Sequence, residues 1–237
     1  MKVPNEALKY ILFQRTGYLR LTNTFAYRAL NRITPFSIYN QVVTIESRIN
    51  PSRIKKLFED DIKNEYLSIK DFLPETCSSI LDIGCGVAGI DVFLNYHYQD
   101  QHPTFYLLDK THTEDSVFYA FNPKGAFYNS LNVAKTMLIE NNTSERFVHL
   151  VEATDNNDIK IYRNVDLIIS LISWGFHYPV ETYLEKAYSL LVKGGSMIID
   201  VRKGTNGIAM IKSLFDEVKI ILDAEKFQRV LALKYQY

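Results

Sequence analysis

Apolar residues recur every three to four positions in two early stretches, Asn5 to about Leu30 and Pro51 to about Leu73. That spacing places them on one face of a helix. In the second stretch Ile54, Leu57, Phe58, Ile62, Tyr66, Leu67 and Ile69 form the stripe. Asn50 stands as a cap before Pro51 at the helix start, and Pro74 ends it. Residues 1–74 therefore read as a helical lead-in. After Cys77 the rhythm shortens. Ser79–Ile83 is a strand-length apolar run that opens into Gly84-Cys85-Gly86-Val87-Ala88-Gly89, with a helix over Ile90–Tyr98 behind it. Further strands are predicted at Phe105–Leu108, Arg146–Val151, Val165–Leu171 and Ser196–Val201, with helices at Leu131–Glu140, Val180–Leu191 and Gly207–Phe215. Two last strands, Glu217–Leu222 and Gln228–Leu233, flank a turn at Asp223–Lys226 and read as an antiparallel hairpin. Strands alternating with helices predict an α/β, doubly wound parallel sheet, here of seven strands with the hairpin as an antiparallel addition. The division is a lead-in over 1–74 and a sheet domain over 75–237.

Composition changes this picture in two places. The net charge of zero hides an asymmetry: Met1–Lys56 holds ten basic and two acidic residues, so this segment is near +8 and the remainder near −8. A basic segment can meet phosphates, nucleic acid or its own acidic domain; the internal and small-phosphate readings rank above nucleic acid. Two cysteines, Cys77 and Cys85, exclude a disulfide framework and do not have zinc-ligand spacing, so no metal is expected and a reducing, cytoplasmic setting fits best. Apolar runs such as Val165–Ile172 are too short to cross a bilayer, and Met1–Tyr18 lacks the apolar core of a signal peptide. Oligomeric state leaves no mark on the sequence.

Gly84, Gly86 and Gly89 form G-x-G-x-x-G between a strand and a helix. Glycines let backbone approach a ligand, and the helix N-terminus favours an anionic group. Asp109 lies at the end of the next strand, where a carboxylate can accept hydrogen bonds from a ribose diol. Together these point to an adenosine cofactor, either NAD or S-adenosylmethionine. Asp82, two residues before Gly84, suits the second, because a buried carboxylate there orders the loop and favours nearby positive charge.

Ile80-Leu81-Asp82-Ile83-Gly84-Cys85-Gly86 resembles motif I of the class I S-adenosylmethionine-dependent methyltransferases. Val165–Ser170 resembles their fourth-strand motif, and Leu190–Ser196 the turn before strand five. The resemblance spans about residues 75–237 and implies a seven-stranded Rossmann-like methyltransferase fold. It implies cofactor roles for Gly84, Cys85, Gly86, Gly89, Asp109 and Ser170, with Asp82 supporting the loop. It also implies a polar residue after strand three against the adenine, for which Asp155 is favoured over Glu152 and Thr154. One departure is Ala88 where many members carry the third glycine.

The segment after strand four selects the acceptor in such a sheet. Here it is Ser170-Leu171-Ile172-Ser173-Trp174-Gly175-Phe176-His177-Tyr178-Pro179. It lacks the Asn/Asp-Pro-Pro-Tyr pattern of amino-group enzymes and the Pro-Cys nucleophile of cytosine carbon-5 enzymes. Trp174, Phe176 and Tyr178 can form a stacking platform for a sugar or aromatic ring. His177 is the candidate general base for a hydroxyl acceptor. Arg202, after strand five, is a candidate for holding a substrate anion. A looser resemblance to sugar O-methyltransferases, through Gly125–Asn132 and this segment, implies that Tyr128 and Asn129 border the site. The expected reaction is methyl transfer to a hydroxyl of a small molecule, a sugar or nucleotide sugar, with the lead-in, including Tyr39 and Tyr66, as a lid. RNA or protein methylation, and N-methylation of an amino sugar, are the alternatives.

Overall fold

A computed structural model of the chain describes residues 1–24, 27, 38–113 and 128–235. In chain order the elements are α1 (Ala7–Gln14), α2 (Tyr39–Ile49), α3 (Pro51–Leu67), β1 (Ser79–Ile83), α4 (Gly89–His97), β2 (Thr104–Asp109) and a two-residue ribbon of β3 (His112–Thr113) with β4 (Tyr128–Asn129). Then follow α5 (Leu131–Glu140), β5 (Val148–Glu152), β6 (Val165–Ser170), β7 (Ser173–Tyr178), α6 (Leu184–Leu190), β8 (Leu191–Arg202), α7 (Gly207–Leu214), β9 (Glu217–Asp223) and β10 (Phe227–Leu233).

Seven strands form one sheet in the order β5-β2-β1-β6-β8-β10-β9. The first five are parallel, and β10 runs antiparallel to both β8 and β9. Along each inner strand, neighbouring residues serve opposite faces, as the two-residue period requires. Ile80, Leu107, Leu167, Ile169 and Ile198 join the core shared with α1, α3, α4 and α5. Leu81, Leu108, Ile168, Met197 and Ile199 join the core under α6 and α7. The order of connections reverses between β1 and β6, and the cleft outside the carboxyl ends of the strands opens there.

The lead-in is more broken than its periodicity predicts. α1 stops at Gln14, and two single 3-10 turns follow, Thr16–Tyr18 and Leu21–Asn23. Thr16 and Gly17 are poor helix formers, and they interrupt the stripe there. The end of that predicted helix, at 25, 26 and 28–30, lies outside the described residues, as do Gly125–Phe127. Three polar ties hold the lead-in together. Arg15 pairs with Glu65 at 2.7 Å, Arg53 donates to the Tyr18 carbonyl at 2.9 Å, and buried Glu46 accepts from the amides of Arg20 and Leu21. Part of the basic excess of this segment is thus met within it. Arg229 and Asp200 form a buried bidentate ion pair between β10 and β8, at 2.7 and 2.8 Å. Among the described residues no helix is long and apolar enough to cross a membrane.

Candidate functional site

A cavity of about 210 Å³ lies at the switch point. Its floor is the end of β1 and the glycine loop. The amides of Gly84 and Cys85 both donate to the Leu108 carbonyl, at 2.7 and 3.2 Å, so the loop is pinned to β2. Asp109 completes the clamp: one oxygen accepts from the Gly86 amide at 2.8 Å, the other from the Lys110 amide at 2.7 Å. Burial lifts the Asp109 carboxyl to about 6, against the opposing pull of those amides and of Asn129 beside it. Gly84 and Gly86 both have positive φ, and a Cβ at Gly84 would overlap the Ser173 side chain. Only glycine fits that backbone at that distance. Ala88 takes the left-handed conformation where the third glycine of the pattern would sit, at φ 60°. Gly89 has ordinary backbone and is needed for space: a Cβ there would lie 2.6 Å from Phe58 Cζ.

Asp82, Gly84, Cys85, Gly86, Gly89, Asp109, His177 and Tyr178, all predicted from sequence, line this one cavity. His177 lines the same cavity; burial, helped by the charge of Arg202, lowers its pKa, so the imidazole is neutral near pH 7. Burial pushes the Cys85 thiol well up and the Cys77 thiol to about 12, which leaves neither as a thiolate nucleophile.

Four other predicted residues are elsewhere. Trp174 is fully buried in the core under α6, its indole N–H donating to the Val180 carbonyl at 3.0 Å, and it cannot serve as a stacking platform. Its segment is extended, so Trp174 and His177, three apart, fall on opposite sides. Ser170 is also buried; its hydroxyl donates to the Ile83 carbonyl and accepts from the Trp174 amide, so it ties β6 to β1 and does not line the cavity. Asp155 is a surface residue paired with Lys110 at 3.1 Å. Arg202 lies outside the cavity lining, with its guanidinium over the Phe176 ring.

The lead-in contributes to the cavity lining, through residues not predicted as site residues. Phe13, Gln14, Arg15 and Thr16 from the end of α1, and Phe58, Ile62 and Glu65 from α3, form its outer wall. Tyr39 and Tyr66, the predicted lid residues, are not in the lining. The α3 stripe carried a usable signal, since Phe58 and Ile62 are two of its members. Asn129, buried beside Asp109, also lines the cavity. Among the described residues no group of three His, Cys, Asp or Glu side chains could hold a metal.

No protein-family model matches the chain, and no curated protein does either. Solved structures do. The StiE O-MT segment superposes with TM-score 0.54 at 12% identity, over 86% of this chain and 84% of that one. A protein assigned as an O-methyltransferase from Nostoc punctiforme gives 0.51 at 13%, over 97% and 71%. A methyltransferase from Pyrococcus furiosus gives 0.50 at 19%, over 74% and 83%. The likeness is one of fold: the chain has the seven-stranded Rossmann-like sheet of class I methyltransferases.

Proposed function

We propose that the chain is an S-adenosylmethionine-dependent methyltransferase acting on a hydroxyl of a small molecule, with sugars and nucleotide sugars as the acceptor class. The observation that carries this reading is the convergence of the glycine loop, Asp82 and Asp109 with neutral His177 in one cavity. The donor set fits the cofactor. Glycine backbone leaves room for close approach, Asp109 suits a ribose diol, and the acidic floor at Asp82 suits a cationic amino-acid end. When bound, S-adenosylmethionine supplies a methyl group made electrophilic by its sulfonium.

The chain's own residues supply the rest. Asp109 and the loop amides set the floor, and the lead-in wall excludes water and holds the acceptor in place. His177 Nδ1 or Nε2, neutral in this site, takes the acceptor's hydroxyl proton as the new C–O bond forms. Closure by α1 and α3 favours an acceptor small enough to sit inside over a polymer.

The test is calorimetric titration with S-adenosylmethionine, S-adenosylhomocysteine and NAD, on the wild type and on Asp109→Ala. Expected is binding of the first two, weakened about tenfold or more by the substitution, as loss of a hydrogen bond to a charged group costs roughly 1.5–3 kcal/mol. Nucleotide sugars and glycans are then screened with labelled methyl donor. Binding of NAD alone would overturn the reading.

A further inference from the structure

One buried side chain behind the glycine loop has no task in the scheme above. Asp91 sits in the first turn of α4, fully buried. Neither of its oxygens accepts a well-formed hydrogen bond from a donor among the described residues. What it meets is the carboxyl of Asp82, itself buried and part of the cavity wall. Two ionised carboxylates can only accept, so in a dry interior they face each other with a proton between them. The groups around them deepen the negative field. Asp109 on β2 and Glu65 on α3 both act on Asp82, and the Cys85 thiol beside them is uncharged. Arg15, the cation on this wall, is held by Glu65 at 2.7 Å. His177, also in the cavity lining, is neutral at pH 7. Burial first, then the Asp91 charge, holds Asp82 well above the ordinary carboxylate range. Burial lifts Asp91 to about 7, with Asp82 and its own backbone amide opposing.

We infer that Asp82 and Asp91 form a one-proton carboxyl pair that gives up its proton when a cationic cofactor is seated in the cavity. The inference rests on the cofactor reading above. In the empty site above about pH 7 one proton remains, bridging an oxygen of Asp91 and an oxygen of Asp82, and the pair carries one negative charge. An ammonium or sulfonium near Asp82 stabilises the second negative charge. The O–H bond then breaks, its electrons stay on the carboxylate, and the proton passes to a solvent base. Asp91 is a positioning residue here: it acts on the ligand only through Asp82.

The experiment is titration of the full chain with S-adenosylmethionine in phosphate and in Tris, whose ionisation heats differ, at about pH 6 and about pH 8. At the higher pH the heats should differ by the equivalent of close to one proton released, and affinity should climb up to about tenfold per pH unit above 7. In Asp91→Asn the amide donates to an ionised Asp82, so binding should persist while the proton release disappears. That variant also separates the pair from Asp109, which titrates about a unit lower. Equal heats in both buffers at about pH 8, with binding intact, overturn the exchange and leave the cofactor reading standing. Absence of any binding heat overturns the cofactor reading and the exchange with it. Carboxyl ¹³C NMR of the ligand-free protein tests the pair alone. An aspartyl signal titrating near 7 and lost in Asp91→Asn is expected; its survival in the variant overturns the pair.

Discussion

Replacing Gly89 with alanine tests whether the lead-in is seated on the glycine loop. The backbone there is helical, so the substitution carries no φ penalty and by propensity alone would stabilise by about 0.5–1 kcal/mol. The space says otherwise. The new methyl would lie 2.6 Å from Phe58 Cζ and 3.0 Å from both Ile62 Cδ1 and Cγ1. Carbon pairs prefer roughly 3.5–4.0 Å, so the ring must retreat by about 1 Å or α3 must lift. Overpacking of this kind costs about 1–3 kcal/mol, which outweighs the propensity gain. Phe58→Leu removes the ring's far end and opens room, at a cost below the ~3–5 kcal/mol of a full Phe→Ala truncation. The two substitutions should therefore couple. In urea denaturation the double variant should be more stable than the summed single costs by about 1 kcal/mol or more, or roughly 2–4 °C in Tm. Additive costs, within about 0.5 kcal/mol, would refute the packing of α3 on the loop, and with it the α3 side of the cavity.

Three more expectations follow from the same geometry. His177→Gln should lower kcat about 10²–10⁴-fold with little change in KM. The wild-type rate should rise with pH through a value below 6.5 and then flatten, since burial favours the neutral base; a rate that still depends on pH in the same way in the variant removes His177 from the chemistry. Arg229→Met leaves Asp200 buried without its partner and should cost about 3–5 kcal/mol in chemical denaturation; adding Asp200→Asn should recover part of that, and a loss under about 1 kcal/mol would contradict the pair's burial. Asp91 and Asp109 hold protons in the folded chain, to about 7 and about 6, that the unfolded chain has lost above its ordinary carboxylate range. Their contribution is fully present near pH 4 and is lost as pH rises through 6 to 7. Ligand-free Tm should show that fall, and Asp91→Asn should flatten it; the exposed pairs at Glu145, Glu217 and Asp223 oppose the trend only weakly.

The sheet, the glycine loop and Asp109 were readable because each leaves a local mark. Strands of two-residue period, glycines at positive φ and a carboxylate at the next strand end all sit where one turn of chain decides them. What was misread depends on pairing across the chain. Trp174 looked like a platform because it is the only tryptophan and stands near His177. Reading Ser173–Tyr178 as extended would have put the two on opposite sides. α2 went unseen because only Val43 and Glu46 are buried along it, and a buried glutamate holding the amides of Arg20 and Leu21 gives no apolar stripe. Asp155 suited a site by its place after a strand, yet Lys110 claims it at the surface. Asp91 was invisible for the opposite reason: in sequence it is an ordinary acidic residue of a first helical turn, and only the fold sets it against Asp82.

Arg229 belongs to the last strand in chain order, yet in space β10 lies inside the sheet, between β8 and β9. A ribosome therefore releases Asp200 well before the residue that neutralises it. Until β10 emerges, the growing chain presents the open side of β8 and an acid that cannot be buried alone at acceptable cost. The nascent sheet is thus held from closing early by its own charge. The interior of the sheet is completed, and its buried charge matched, only by the strand made last among the seven.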